Sequence, residues 1–263
     1  MRLSCQEHLL PGDSVLEKWE FALSAGFGGI ELRGTRDWRG RLDDLAAARD
    51  RGAVFSSVCL IDDRFIGDLD ADSRREAVEH VKHLLSGISE LGGVGAITPA
   101  AFGKTSKALP PFDAPRTAEE DRRVLLDALE ELGEHAEGEG TLVLLEPLNR
   151  YEDHMMNRLQ DGVDLCKLAG RPSIRVMGDL FHMNIEEDDL GGAIRDAGGY
   201  LAHVHLADSN RAHPGAGHTD FASTFEALRE IGFEGYLAME CSIRGDASTV
   251  LPQVARRLRS SMG

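Results

Sequence analysis

Aromatic residues make up only 6% of this 263-residue chain, so the sequence offers no conspicuous aromatic stacking platform. Cysteine is also scarce. The four cysteines, Cys5, Cys59, Cys166 and Cys241, are scattered, with no CxxC spacing. This pattern argues against a disulfide framework and favours a reducing compartment. The N-terminal segment MRLSCQEHLLPGD lacks the basic-then-apolar pattern of a secretion signal, so we expect a cytoplasmic protein.

Basic residues are outnumbered as well. Lysine and arginine total 29 against 45 aspartates and glutamates, which gives a formal net charge of −16 and a pI near 5.0. Polyanions are held chiefly by clustered Lys and Arg, so nucleic acid and anionic membranes are excluded as expected partners. No apolar run approaches the roughly 20 residues that span a bilayer.

What the chain does have is a regular rhythm of short apolar runs and amphipathic segments, repeated eight times. Strands are predicted near 2–7, 28–33, 53–60, 94–98, 141–146, 174–179, 200–206 and 235–241. Helices are predicted near 14–25, 41–51, 72–91, 117–139, 157–169, 188–197, 222–231 and 248–260. Such alternation implies parallel strands joined by right-handed crossovers. With 42% hydrophobic residues and an unbroken rhythm, the chain is predicted to form a single (β/α)₈ TIM-barrel domain over 1–263.

The connections support this prediction. Gly26, Gly52 and the Gly170-Arg171-Pro172 segment each follow a predicted helix, as helix-ending residues do. Two strand-to-helix loops, 99–116 and 207–221, are unusually long. Loops at that end of a barrel build active sites, and loop 99–116 could also act as a lid or a subunit contact.

Four strand-like runs, TLVLLEP, IRVMGDL, YLAHVHLAD and GYLAMEC, finish in side chains that bind metals or transfer protons. The residues are Glu146, Asp179, His205 and Glu240. Three carboxylates and one imidazole at one rim of a parallel barrel suit a hard divalent cation such as Mn²⁺ or Mg²⁺ better than structural Zn²⁺. A carboxylate among apolar neighbours is costly to bury without such a partner. The sequence therefore predicts a metal site.

Strand alternation places other polar residues nearby. His203 shares a face with His205, and it could support the site or be a polar member of the barrel interior. Glu31 and Arg33 share a face of the second strand, which predicts a buried ion pair, with contact to a substrate as the alternative.

Segments EPLNRYE (146–152), GDLFHMNIEE (178–187), HVHLADSNRAHPGAG (203–217) and MECS (239–242) resemble the sugar phosphate isomerase/epimerase superfamily of xylose isomerase-like TIM barrels. Within it, they are most similar to the ketose 3-epimerases, the D-tagatose and D-psicose 3-epimerase group. The resemblance implies Glu146, Asp179, His205 and Glu240 as ligands of a divalent metal, with Mn²⁺ favoured and Mg²⁺ or Co²⁺ as alternatives. It also implies Glu146 and Glu240 as the catalytic acid/base pair, and Glu152, His182 and Arg211 as substrate-binding residues.

The resemblance implies a carbohydrate substrate, a homo-oligomer and proton removal next to a ketose carbonyl through a metal-stabilised enediolate. Returning the proton to the opposite face would epimerise the carbon, and returning it to the neighbouring carbon would interconvert aldose and ketose. A superfamily lyase, such as an inosose dehydratase or the catalytic subunit of a 3-oxo-C-glycoside deglycosidase, would use the same ligands, the latter with a second subunit. A noncatalytic sugar-binding barrel is the third alternative, although binding alone needs no paired bases.

Overall fold

The computed structural model describes residues 1–107 and 111–262. Eight parallel strands close into a barrel in the order β1 to β8, which confirms the predicted fold class. The strands are β1 Arg2–Gln6, β2 Ile30–Gly34, β3 Phe55–Leu60, β4 Gly95–Pro99, β5 Leu142–Glu146, β6 Ile174–Asp179, β7 Leu201–Leu206 and β8 Tyr236–Met239. Both long loops are present, and residues 108–110 of the predicted loop 99–116 lie outside the described part.

Helices follow the strands and cover the outside of the barrel. They are α1 Val15–Ala25, α2 Trp38–Asp50, α3 Ala71–Glu90, α4 Ala118–Glu139, α5 Leu159–Ala169, α6 Leu180–Glu186, α7 Leu190–Ala197, α8 Phe221–Glu230 and α9 Ala247–Met262. The sequence predicted all but α6. This helix has only seven residues, too few for a clear apolar period, and it begins because the Asp179 side chain accepts a hydrogen bond from the Phe181 backbone N–H.

Helix boundaries have local causes in the sequence. Ser14 and Glu17 form a reciprocal capping box at the start of α1, and Thr117 and Glu120 form another at the start of α4. At the other end of α1, Gly26 adopts the left-handed conformation with φ of 104°, which a residue without Cβ accepts most easily. These signals set where the chain turns back toward the next strand.

Strand register brings the predicted site residues to one rim. Asp179 at the end of β6 pairs with His205 on β7, and Glu146 ends β5 opposite Pro99. Strand β8 ends at Met239, two residues earlier than predicted, so Glu240 lies just beyond it. A small apolar cluster is formed by side chains of neighbouring strands; it contains Cys59, Ile97, Leu144 and Met177.

Within the described residues, no helix combines the length and the apolar character needed to cross a bilayer. All four cysteines are free and buried.

Candidate metal centre and active site

The four predicted ligands come together at the carboxyl end of the barrel. One ligand atom from each of Glu146, Asp179, His205 and Glu240 lies within 4.8 Å of the other three. Asp179 and His205 are fully buried and Glu146 is 5% exposed. Four neighbouring strands therefore deliver three carboxylates and one imidazole to a single point, as the sequence predicted.

His205 is the centre of this cluster. Its Nδ1 lies 3.0 Å from Glu240 Oε2, 3.5 Å from Glu146 Oε1 and 3.8 Å from Asp179 Oδ2. The nitrogen is buried, and none of these contacts is aligned as a hydrogen bond. A buried nitrogen without such a partner, surrounded by carboxylate oxygens, fits a shared divalent cation, for which all four groups would act as ligands. These four residues could hold a metal ion.

The pKa values of the three carboxylates in the cluster are shifted in different directions. Burial by itself raises the pKa of Asp179, but Arg211, His182 and His205 together outweigh burial and hold that pKa well below its usual range. Burial raises the pKa of Glu146, and the nearby Glu240 carboxylate adds to the rise. Burial likewise opposes ionisation of Glu240, yet His205 and Arg211 lower its pKa. The two predicted acid/base groups are therefore pushed in opposite directions, as in many acid/base pairs.

Arg211 reaches this cluster from the loop after β7. Its guanidinium donates from one nitrogen to Asp179 Oδ2 at 2.5 Å and from another to Glu240 Oε2 at 2.6 Å. Arg211 is the single non-glycine residue with positive φ in the described chain, at 58°. Its backbone is fixed by hydrogen bonds to Asp208 and Ser242. Such a conformation costs roughly 1–3 kcal/mol and is typical of functional sites.

His182, on α6, presents one ring nitrogen toward the same space. Its Nδ1 accepts hydrogen bonds from the backbone N–H and the side-chain amide of Asn149, at 3.1 and 2.8 Å. Its Nε2 is therefore the nitrogen that carries the proton in the neutral ring. That nitrogen lies 4.0 Å from Glu152 Oε2 and 3.8 Å from Asp179 Oδ2. The structure thus brings all three predicted substrate-binding residues to the cluster.

A cavity of about 360 Å³ opens above these groups. Its polar side is formed by Glu146, Glu240, Glu152, His182 and Arg211. The other side is largely apolar and comes from the β3 and β4 region and the loop after β5; it contains Leu60, Ile61, Phe65, Pro99, Phe102 and Leu148. This size and mixture of walls suits a small polar molecule with one apolar face.

Glu31 lies beneath the cluster, and the prediction that it pairs with Arg33 was wrong. Its two carboxylate oxygens instead contact His203 Nε2 at 2.8 Å and His205 Nε2 at 2.9 Å. Gln6 and Ser57 donate hydrogen bonds to the same carboxylate. Strand alternation explains the difference: the inward face of β2 meets the inward face of β7 across the barrel.

Sequence reasoning missed three supporting residues. Gln6 donates to both Glu31 and Glu240, Ser57 donates to Glu31, and Asn149 fixes His182. Asn149 lies in the EPLNRYE segment, which was a usable signal. In the sequences of β1 and β3, nothing local distinguishes Gln6 and Ser57 from other polar residues.

The class of protein now follows. The family model for the xylose isomerase-like TIM barrel matches residues 19–261. The chain belongs to this family, as the sequence segments predicted.

Similarity to individual proteins defines the class of enzyme more closely. The chain is 36% identical to the 3-dehydro-D-guloside 4-epimerase of Escherichia coli over 246 residues, which is 94% of each protein. The crystal structure of 3-keto-D-glucoside 4-epimerase from E. coli superimposes with a TM-score of 0.93 at 35% identity and covers 99% of both chains. D-Psicose 3-epimerase from Ruminiclostridium cellulolyticum is 41% identical over 136 residues, 51% of this chain and 46% of that protein. By homology, the chain is an epimerase, an enzyme of the isomerase class.

Proposed function

We propose that this protein is a metal-dependent sugar epimerase that inverts a carbon next to a ketone. The observation that carries the proposal is the pair Glu146 and Glu240, two carboxylates that line the same cavity, the first buried and the second partly buried. Inversion needs one group to take a proton from one face of the carbon and another to return a proton to the opposite face. A site that only bound a sugar would need neither.

The favoured substrate is a 3-keto hexoside with inversion at C4. Two features support this choice over a free ketose. The 4-epimerase relative matches nearly the whole chain in sequence, whereas the sequence similarity to D-psicose 3-epimerase covers about half of it. The apolar wall around Phe65 and Phe102 also offers a surface for the part of a glycoside beyond the sugar ring.

The metal ligands in this proposal are Glu146, Asp179, His205 and Glu240, with Mn²⁺ favoured and Mg²⁺ or Co²⁺ as alternatives. Such a cation supplies Lewis-acid stabilisation of the negative charge that develops when the proton beside the ketone is removed.

The protein's own residues carry out the proton transfer. Glu146 and Glu240 are the acid/base pair: one removes the proton from one face of the carbon, and the other returns a proton to the opposite face. In the reverse direction the roles exchange. His182 donates from Nε2 and Arg211 from its guanidinium to substrate oxygens, while Glu152 accepts from a hydroxyl.

The test uses purified protein stripped of metal by chelation and then supplied with Mn²⁺. Methyl 3-keto-glucoside and a panel of free ketohexoses are incubated in D₂O and followed by NMR. The proposal predicts a metal-dependent C4 epimer with deuterium at the inverted carbon. Full turnover without metal would contradict it. Loss of a substituent without reprotonation would instead identify the lyase, and turnover of free ketohexoses alone would move the substrate to the ketose 3-epimerase class.

A further inference from the structure

Glu31 is a fully buried carboxylate outside the four-residue cluster that contacts one of its members, His205. Its Oε1 lies 3.0 Å from the Gln6 amide nitrogen and 2.9 Å from His205 Nε2. Its Oε2 lies 2.7 Å from the Ser57 hydroxyl and 2.8 Å from His203 Nε2. All four neighbours can donate a proton. Gln6 and Ser57 donate hydrogen bonds to the two oxygens, as expected for an ionised carboxylate, and the two imidazole nitrogens lie within ion-pair distance, so the position of Glu31 is fixed from β1, β3 and β7 together.

The contact with Glu31 determines which nitrogen of His205 carries the proton, and therefore which nitrogen has the lone pair. An ionised carboxylate offers no hydrogen, so the hydrogen in the Glu31 contact belongs to His205 Nε2. In a neutral ring, Nδ1 then bears the lone pair. Nδ1 is the nitrogen that lies 3.0–3.8 Å from the three cluster carboxylates. Without Glu31, either nitrogen could carry the proton.

We infer that Glu31 is a positioning residue that holds His205 in the tautomer and orientation needed to bind the metal through Nδ1. The inference rests on the proposed metal site and deepens it. Partners of this kind behind a ligating histidine typically contribute about 10–100-fold in metal affinity. Gln6 links Glu31 to a second cluster residue, because its amide also donates a hydrogen bond to Glu240 Oε1 at 3.0 Å.

The competing assignment is a second metal site, because Glu31, His203 and His205 also bring ligand atoms within 4.8 Å of one another. The contacts argue against it. Ser57 and Gln6 already donate to both Glu31 oxygens, and His205 would have to bind one ion through each nitrogen. The number of metal ions bound per chain decides between a positioning role for Glu31 and a second metal site.

The experiment measures Mn²⁺ binding to metal-free wild-type protein, Glu31→Gln and Ser57→Ala by titration calorimetry, with circular dichroism as a check on folding. Glu31→Gln keeps the size of the side chain but has one acceptor oxygen where four donors converge. Ser57→Ala is the matched control, because it removes one hydrogen bond to Glu31 and leaves the His205 contact in place. We expect one ion per wild-type chain, a Kd about 10–100-fold weaker in Glu31→Gln, and a change within about threefold in Ser57→Ala.

An unchanged Kd in folded Glu31→Gln would overturn the inference, as would two ions per wild-type chain with one lost in the variant. A second measurement needs no variant. In Mg²⁺-loaded wild-type protein with ¹⁵N-labelled histidine, the ring proton of His205 should be on Nε2, and a proton on Nδ1 would refute the assignment. If wild-type protein epimerises sugars and Glu31→Gln binds Mn²⁺ with unchanged affinity, the positioning role of Glu31 is refuted and the proposed function stands. If wild-type protein binds one ion tightly, Glu31→Gln binds it more weakly, and no sugar is turned over, the proposed function is refuted and the positioning role of Glu31 stands.

Discussion

The two halves of the barrel contribute different side chains to the same cavity. Strands β5 to β8 end in the four charged groups of the metal cluster. The β1 to β4 half contributes apolar residues to the cavity wall, such as Leu60 and Phe65, together with the buried polar residues beneath the cluster. One half therefore holds the groups that carry out chemistry, and the other holds those groups in place and shapes the space for the substrate.

This difference leads to a ranking of effects. Changes to charged groups on β5 to β8 should affect turnover most, because proton transfer depends on them directly. Changes to the β1 to β4 wall should affect binding of the substrate more than the rate of chemistry. Four variants test the comparison, from the largest expected effect to the smallest.

Glu240→Gln should lower the rate of product formation by about 10²–10⁴-fold, because the amide keeps an oxygen for the metal but cannot act as a base. Exchange with solvent could still proceed through Glu146 for the epimer whose proton faces that residue. Deuterium incorporation into recovered substrate, measured beside product formation, separates the two steps. Glu234→Gln makes the same change at an exposed position before β8 and should have no effect. Near wild-type turnover in Glu240→Gln would rule out the two-base mechanism.

Arg211→Ala should lower kcat/KM by about 10–100-fold, the usual effect of losing a hydrogen bond to a charged group. Its guanidinium contacts the same Asp179 and Glu240 oxygens that a cation would use. Metal affinity should therefore stay the same or increase, and the Tm should move by no more than about two degrees. Arg244→Ala, at an exposed site in the loop after β8, is the control. A large loss of Tm with unchanged kinetics would make Arg211 a structural residue.

Asp208→Asn tests the loop that carries Arg211. The Asp208 carboxylate accepts backbone hydrogen bonds from Ser209, Gly215 and Thr219. Burial alone would raise its pKa, but these bonds lower the pKa to about 2. A lowered pKa in the folded state means that the stabilisation is present above the usual pKa near 4 and is lost as pH falls toward 2.

Asp208→Asn should therefore cost about 1–2 kcal/mol of unfolding free energy at pH 7, after allowance for solvent screening, and progressively less below pH 4. Urea unfolding of both proteins at pH 7, 4 and 2.5 measures this. The same difference at every pH would show that the loss comes from shape and not from charge.

The two halves also differ in how much the sequence revealed. The metal cluster could be predicted because each of its residues follows an apolar run, and parallel strands end at one rim. The support beneath it could not, because Gln6, Glu31 and Ser57 come from three different strands and their meeting depends on strand register around a closed barrel. Helix α6 was missed because its start depends on the Asp179 side chain. The single domain, the homo-oligomer and the cytoplasmic setting stay predictions.

Phe102→Ala addresses the apolar wall itself. Phe102 lines the cavity, is 47% exposed, and meets Phe65 edge to face with ring centroids 6.1 Å apart. Removing a contact of about 40 Å² with the substrate costs about 1 kcal/mol, which corresponds to roughly fivefold in KM. Metal affinity and kcat should change little, because Phe102 is not one of the four cluster residues.

Tyr151→Ala is the matched control for this wall: Tyr151 is an aromatic residue after β5, 56% exposed and outside the set that lines the cavity. It should leave KM unchanged. The comparison is most informative with two substrates, a methyl glycoside and a glycoside with a larger apolar substituent. If the apolar wall contacts the group beyond the sugar, the effect of Phe102→Ala on KM should differ between these two substrates. If Phe102→Ala raises KM equally for both, the wall contacts the sugar ring. If it lowers kcat with KM unchanged, the division of roles between the two halves of the barrel is wrong.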